Sequence, residues 1–193
     1  MDTSGIFAQF ERHIALDEKE KLSIRSVLIS ARLRQGEFVE TVGKVTANFI
    51  YVNSGCLMTY YTDADGSDHV IQFAMAGWWT GDLHSFTKEE PSIYSTRALA
   101  DSEVFYLPKA DMEMLLQKFP KLERYFRILF QNSIVSHQYR LIQNLSATAD
   151  QRYENFSKRY PSLEQYVPLK YIASYLGITP EFLSKIRRKR SGH

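Results

Sequence analysis

A cluster of basic side chains near residue 190 is the first feature of the sequence that could carry chemistry. Lys185 follows Glu181 by four residues, and residues 187–190 are all basic. A lysine can donate to guanine acceptors and a carboxylate can accept from a cytosine amino group, so both side chains could read base edges. The four basic residues that follow could neutralise phosphates, which positions a protein without reading sequence. This combination predicts contact with double-stranded DNA.

The net charge of the whole chain, +2, conceals an uneven distribution. Residues 150–193 contain nine basic and four acidic side chains, a net charge of +5, whereas the preceding 149 residues have a net charge of −3. Charge asymmetry between parts of a chain is typical of proteins that bind nucleic acid or membrane surfaces. The uneven charge agrees with a DNA partner but does not exclude a solvated basic tail.

The residues that usually perform catalysis or bind metals are scattered. The five histidines form no His-x-His pair, which a cupin-type metal-dependent β-barrel enzyme would need; they are His13, His69, His84, His137 and His193. The single cysteine, Cys56, excludes an internal disulfide and an all-cysteine iron–sulfur cluster within one chain. We predict no catalytic residues, no metal and no cofactor. A cupin-type enzyme, a haem sensor using His69 or His84, and a ligand-sensing module without DNA binding remain the alternatives.

Two short helices could position the basic cluster. With Leu169 as the first residue of a twenty-residue helix-turn-helix, Gly177 falls ninth, where it relieves a positive φ at the end of the first helix. Ala173 falls fifth, where the helices cross closely and a small side chain is needed. The other apolar residues of the pattern fall at the fourth, eighth, tenth, fifteenth and eighteenth positions: Ile172, Leu176, Ile178, Leu183 and Ile186.

The second helix of this pair has the features of a recognition helix. Thr179 can cap it and Pro180 can open it. Such a helix enters the major groove with its N-terminal residues against base edges. The predicted DNA-binding residues are Thr179, Pro180, Glu181, Ser184, Lys185, Arg187, Arg188 and Lys189.

The rest of the chain divides into a helical start, a β-rich middle and a long helix. Apolar spacing predicts one helix over residues 6–29. Short β-type runs separated by turn residues favour an antiparallel barrel or roll; they are 38–42, 49–52, 56–62, 69–74, 95–99 and 104–107. Residues 120–145 predict a helix with two apolar faces, one for its own domain and one for a second copy of the chain. The alternative is a helix buried within one chain.

Three motifs resemble those of the Crp/Fnr family of bacterial transcription regulators, in particular its shortened Bacteroidetes members. Residues 78–83 resemble the family's phosphate-binding cassette, 101–104 the strand that follows it, and 167–189 its helix-turn-helix. The resemblance implies an α+β fold with an antiparallel, jelly-roll-type, cyclic-nucleotide-binding-like β-roll, a long dimerisation helix and a C-terminal helix-turn-helix. The corresponding domains are 1–115 for the effector roll, 116–147 for the dimerisation helix and 148–193 for DNA binding.

The sequence departs from the family pattern where the ligand would bind. In members that bind cyclic AMP, a Gly-Glu pair is followed about ten residues later by an Arg-Ser pair that grips the cyclic phosphate. The first pair corresponds to Gly81 and Asp82, and the second to Ser92 and Ile93, so the phosphate arginine is missing. We therefore predict an effector pocket at Gly81, Asp82, Leu83 and Ser92 that does not bind cyclic AMP tightly.

The resemblance also implies the partners. They are double-stranded DNA, a second copy of the chain, RNA polymerase and an unidentified small-molecule effector, with no membrane. We expect a cytoplasmic protein, because no apolar run approaches the roughly 18 residues of a membrane span and the first residues do not form a signal peptide. We also expect no wing hairpin after the recognition helix, which would leave its phosphate contacts to residues 187–190.

Overall fold

The computed structural model describes residues 1–161 and 163–190. These residues form two compact units. The N-terminal unit comprises Met1–Thr59 with Phe73–Asn132, and the C-terminal unit comprises Tyr60–Gln72 with the described residues of Ser133–His193. Of the predicted 148–193 segment, residues 162 and 191–193, including His193, lie outside the described residues.

In residues 1–161 and 163–190, eight strands form two four-stranded sheets. The first sheet has the order β1-β8-β3-β6 and the second β2-β7-β4-β5. The strands are β1 (Ile29–Leu33), β2 (Phe38–Glu40), β3 (Asn48–Ser54), β4 (Cys56–Thr62), β5 (Asp68–Met75), β6 (Trp79–Thr80), β7 (Ser95–Ala98) and β8 (Ser102–Pro108). The registered pairs β1–β8, β2–β7, β3–β6 and β3–β8 are all antiparallel. The α+β class and its antiparallel roll are thus confirmed, with β1 and β6 in addition to the six predicted strands.

The prediction of one N-terminal helix is wrong. Two helices, α1 (Ser4–Glu11) and α2 (Glu18–Val27), occupy this region, and Ile29 already belongs to β1. Asp17 starts α2 through a capping box: its carboxylate accepts from the Glu20 amide at 2.8 Å, and the Glu20 carboxylate accepts from the Asp17 amide at 2.7 Å. These reciprocal bonds satisfy two backbone N–H groups at the helix start, which favours a new helix over continuation of the first.

Aromatic side chains dominate the core of the N-terminal unit. The Trp79 ring stacks on Phe49 with centroids 4.9 Å apart, and its Nε1 donates to the Tyr125 hydroxyl at 2.9 Å. Phe10 of α1 contacts the Tyr125 ring at a centroid distance of 4.2 Å. The polar edge of the indole is therefore satisfied inside an apolar cluster. A second cluster fills the roll around Ile50, Leu57 and Val104.

The long helix changes character along its length. After α3 (Leu83–Lys88) and α4 (Lys109–Lys118), α5 runs over Lys121–Ser146, 26 residues or ~39 Å, close to the predicted 120–145. Leu122, Tyr125 and Phe126 in its first part are buried in the N-terminal unit. Within the part of the chain that the structure describes, no helix combines the length and apolarity that a membrane span requires.

The C-terminal unit contains three further helices, α6 (Ala149–Arg159), α7 (Leu169–Leu176) and α8 (Pro180–Arg190), with a short 3-10 turn at Leu163–Gln165. Their core is apolar and aromatic, and consists of Tyr153, Phe156, Tyr160, Leu163, Val167, Ile172, Ala173, Leu176, Leu183 and Ile186. The tip of the β4–β5 hairpin belongs to the same unit. There the Ser174 hydroxyl donates to the Asp68 carbonyl at 2.7 Å and accepts from the Val70 amide at 2.9 Å.

Candidate nucleic-acid interface

The turn between α7 and α8 has the geometry that its sequence predicts. Gly177 ends α7 with φ 66°, a left-handed conformation that favours glycine. The Ile178 amide donates back to the Ala173 carbonyl at 3.0 Å, which closes the turn. Ala173 is fully buried, as expected where two helices pass closely, and α7 and α8 are in direct contact. The helix-turn-helix geometry is therefore present.

Thr179 and Pro180 start α8 as expected. Pro180 is its first residue, and the Thr179 hydroxyl accepts from the Phe182 amide at 3.2 Å. Hydrogen bonds from its own backbone amide and from Thr179 lower the pKa of the exposed Glu181 carboxyl. Glu181 is therefore an anionic acceptor at neutral pH, the form that could accept from a cytosine amino group.

The predicted DNA-binding residues share one helix, but they differ in exposure. Most of them are exposed: Thr179, Pro180, Glu181, Lys185, Arg188 and Lys189. Ser184 is half-buried and its hydroxyl donates to the Pro180 carbonyl at 2.9 Å. Arg187 is also half-buried, and its Nε lies 3.5 Å from the Glu164 carboxylate. Part of the Arg187 charge is thus compensated within the protein, which leaves Lys185, Arg188 and Lys189 as the more accessible cations.

Sequence reasoning missed one residue on this face. Phe182 lies between Glu181 and Leu183, and its side chain is 45% exposed, whereas Leu183 is fully buried. An exposed aromatic ring at the start of a recognition helix can contact a thymine methyl group. Phe182 is the fourteenth residue of the helix-turn-helix pattern, directly before the apolar fifteenth residue Leu183, and this position is the sequence signal that could have identified it.

The second part of α5 exposes an apolar face. Several large apolar side chains between residues 134 and 145 are more than half exposed: Ile134, Val135, Tyr139, Leu141, Ile142 and Leu145. Ile134, Leu141 and Leu145 recur at spacings of seven and four residues, so they form one stripe along the helix, with Ile142 at its edge. Such a stripe is unusual for a surface helix unless another apolar surface covers it.

The predicted effector pocket is a closed hydrogen-bond network rather than an open anion site. Asp82 caps α3: its Oδ1 accepts from the His84 and Ser85 amides at 3.0 and 3.1 Å, while Oδ2 accepts from the Ser92 hydroxyl at 2.7 Å. Asp82 and Ser92 are both buried, whereas Leu83 is 45% exposed. Gly81 precedes them with φ 138°. The structure thus brings Asp82 and Ser92 together, with each side chain occupied by the protein itself.

A second carboxylate, Glu40, joins this network and was not predicted. Its Oε2 accepts from the Thr96 hydroxyl at 2.8 Å, and its Oε1 lies 3.4 Å from the Asp82 amide. The Thr96 hydroxyl also forms a hydrogen bond with the Thr59 hydroxyl, 2.9 Å away, which extends the network. Burial raises the pKa of Glu40. Glu40 is the last residue of β2, and no pattern in the sequence predicts that it approaches residue 82.

The candidate metal and thiol sites have ordinary structural environments. Among residues 1–161 and 163–190, no three His, Cys, Asp or Glu side chains lie close enough together to hold a metal ion. The cupin-type alternative therefore has no ligand set in that part of the chain. Cys56 is buried, and this burial raises its pKa to about 12, so it remains a neutral thiol.

Comparison with known proteins agrees with both parts of the fold. Residues 31–119 match the family model of the cyclic nucleotide-binding domain. No curated protein matches the chain in sequence. The fold defined by these features is a cyclic-nucleotide-binding-type roll followed by a long helix and a helix-turn-helix.

Several solved structures share this fold. FixK2 from Bradyrhizobium japonicum superimposes with a TM-score of 0.73 at 16% identity, over 86% of each chain. The c-di-GMP-responsive global regulator CLP of Xanthomonas campestris gives 0.71 at 13% identity, over 91% of this chain and 92% of that one. The catabolite activator protein of Thermus thermophilus gives 0.58 at 19% identity, over 92% and 86%. The resemblance read from the sequence is confirmed: the chain has the fold of the Crp/Fnr transcription regulators.

Proposed function

We propose that the protein is a sequence-specific DNA-binding transcription regulator that acts as a homodimer in the cytoplasm and has no enzymatic activity. The observation that carries this proposal is the exposed face of α8. A capped helix with a buried inner face presents Glu181, Lys185 and Arg188 to solvent. A pure ligand-sensing module would have no use for such a face, whereas a recognition helix needs it.

The apolar stripe on α5 supports the homodimer. A second copy of the same helix would cover Ile134, Leu141 and Leu145 with identical residues, as in a two-stranded coiled coil. A two-fold axis along α5 would then relate two recognition helices. These helices must lie about 34 Å apart to enter successive major grooves of a palindromic site. An effector that biases the geometry of the dimer would change the affinity for DNA, and RNA polymerase is the proposed second protein partner.

The acidic network in the roll supports weak or absent binding of cyclic AMP. A cyclic phosphate carries a negative charge, and at the position where the family pattern has an arginine it would meet Ser92 bonded to the Asp82 carboxylate. Ser92 supplies no positive charge, and its hydroxyl already bonds Asp82. Replacing a bidentate arginine contact by a neutral serine hydroxyl should remove affinity rather than reduce it slightly. Titration calorimetry that gave micromolar binding of cyclic AMP would contradict this part of the proposal.

DNA binding can be tested with the full chain and a fluorescent duplex. We expect the logarithm of the affinity to fall linearly with the logarithm of salt concentration, because each phosphate contact releases counterions. Arg188→Gln should weaken binding to all sequences and reduce the magnitude of the slope by about 1. Lys88→Ala, at an exposed lysine of α3, is the matched control and should change neither quantity. A salt-independent affinity would exclude the proposed role of α8.

A further inference from the structure

A cavity in the C-terminal unit has a composition that the DNA-binding function does not use. It lies between α5, α6 and α7 and has a volume of about 350 Å³. Four of its lining residues are cationic, namely Arg140, Arg152, Lys158 and Arg159, and Lys158 forms an ion pair with Glu154 at 2.7 Å. Among the described residues that line it, none is acidic. Ligand pockets for small molecules have volumes of about 300–1,000 Å³, so the cavity is large enough for a compact ligand.

Two of the arginines that line this cavity are held in place by neutral backbone groups. Arg152 donates from Nε to the Leu176 carbonyl at 3.0 Å and from Nη1 to the Ala147 carbonyl at 2.8 Å. Arg140 donates from Nη1 to the Ile71 carbonyl. Carbonyl oxygens fix a guanidinium in place but do not neutralise it. Both arginines therefore present an oriented positive charge that no carboxylate of the described residues pairs with.

Aromatic rings form the other part of the wall. The Arg140 guanidinium carbon lies over the Tyr175 ring, 4.7 Å from the centroid of that ring. The Tyr175 ring in turn contacts the Phe156 ring, with 5.6 Å between their centroids. Gln143 and Asn155 add amide groups that can both donate and accept hydrogen bonds. A wall of oriented cations, amides and aromatic rings matches a ligand that combines an anion with a planar ring.

The cavity stays accessible in the proposed dimer. Five residues of α5 line it: Ser136, Tyr139, Arg140, Gln143 and Asn144. At about 100° per residue, this face is centred on the opposite side of the helix axis from the stripe of Ile134, Leu141 and Leu145. A second copy packed along the stripe would therefore not close the cavity.

We propose that this cavity binds a small phosphorylated molecule that carries a planar ring. The phosphate lies among Arg140, Arg152 and Arg159, where guanidinium groups can form paired hydrogen bonds to its oxygens. The planar ring contacts the aromatic side of the wall. Binding at this site is independent of the roll, and it requires no DNA, so it can be tested apart from the proposed function.

The test uses 5′-AMP, ribose 5-phosphate and adenosine as probes, titrated into the full chain without DNA. We expect 5′-AMP to bind most tightly, ribose 5-phosphate about tenfold more weakly because it lacks the ring, and adenosine at least tenfold more weakly because it lacks the phosphate. Arg159→Gln should weaken 5′-AMP about tenfold. Arg124→Gln, the same charge change at an exposed position of α5 outside the cavity, should have no effect.

Two further measurements separate this site from others. Asn155→Leu changes the cavity wall without changing charge, and it should weaken 5′-AMP while leaving the far-ultraviolet circular dichroism spectrum unchanged. Equal binding of 5′-AMP by the wild type, Arg159→Gln and Asn155→Leu would overturn the assignment, since the probe would then occupy another site. Absence of 5′-AMP binding at millimolar concentration, together with loss of duplex affinity in Arg159→Gln, would also overturn it and assign these cations to the DNA backbone.

Discussion

The Ser92 hydroxyl donates a 2.7 Å hydrogen bond to the Asp82 carboxylate, and both side chains are buried. The family resemblance places Asp82 in the Gly-Glu pair and Ser92 in the Arg-Ser pair of members that bind cyclic AMP. In this chain the two side chains bind each other, and Asp82 also caps α3. The pair therefore stabilises the roll.

Removing the Asp82 carboxylate should destabilise the fold. Asp82→Ala deletes the cap of two backbone amides and leaves the buried Ser92 hydroxyl without its carboxylate partner. We expect the free energy of unfolding to fall by about 2–4 kcal/mol. About 1 kcal/mol comes from loss of the helix cap and about 1–3 kcal/mol from loss of the buried hydrogen bond between Ser92 and a charged carboxylate. Urea denaturation measures it. Asp82→Asn, which can still cap, should lose less, and an Asp82→Ala variant as stable as the wild type would refute the structural role.

Glu40 should make stability depend on pH in a direction opposite to that of most carboxylates. Burial raises its pKa in the folded state above the ordinary 4.5. The contribution of the protonated Glu40 carboxyl to folding stability is therefore fully present below pH 4.5, and it is lost as pH rises through the raised pKa of the folded state. Glu40→Gln mimics the neutral form, so its stability relative to the wild type should increase between pH 4.5 and 8. Parallel stability curves for the two proteins over that range would contradict the buried-carboxylate account.

The Ser174 hydroxyl should protect the backbone of the β4–β5 hairpin. Ser174→Ala removes the acceptor of the Val70 amide, a bond of 2.9 Å. At a net cost of about 1 kcal/mol, exchange of that amide with solvent deuterium should speed up about fivefold. Ser146→Ala removes a hydroxyl that bonds only within α5, to the Ile142 carbonyl, and is the control. Unchanged exchange at Val70 would show that the hydroxyl does not hold the hairpin.

The exposed stripe on α5 should be the dimer contact. Leu141→Glu places a charge at the centre of that stripe, and we expect the variant to sediment as a monomer at tens of micromolar while the wild type sediments as a dimer. Asn132→Glu is the control, because it introduces the same charge at an exposed position on the side of α5 opposite to Leu141. This variant should remain dimeric. A wild-type monomer under these conditions would remove the dimer from the account.

Much of the architecture follows from local sequence signals. The helix-turn-helix was readable because each position has a strict local requirement: Gly177 for a positive φ, Ala173 for a close crossing, Thr179 for a cap. The 26 residues of α5 were readable from length and apolar spacing. The strands β2–β5, β7 and β8 were readable because turn residues separate them.

The features that sequence reasoning missed depend on tertiary contacts. β1 mixes apolar and polar side chains, none of which is fully buried, and is fixed by its pairing with β8. The break between α1 and α2 depends on reciprocal bonds between Asp17 and Glu20. Glu40 approaches Asp82 across 42 residues of chain, which no periodic pattern reports. The cavity between α5, α6 and α7 likewise gathers arginines that are separated along the sequence.

Selection of bound sites from a random pool of double-stranded DNA tests the central claim most directly. A homodimer that inserts two copies of α8 into successive major grooves should enrich a palindrome whose half-sites are centred about 34 Å apart, roughly 10 base pairs. Lys185→Ala should lose or relax the preference at one position in each half-site. Enrichment of no sequence at all, or of a single half-site without its two-fold mate, would contradict the account of a dimeric, sequence-reading regulator.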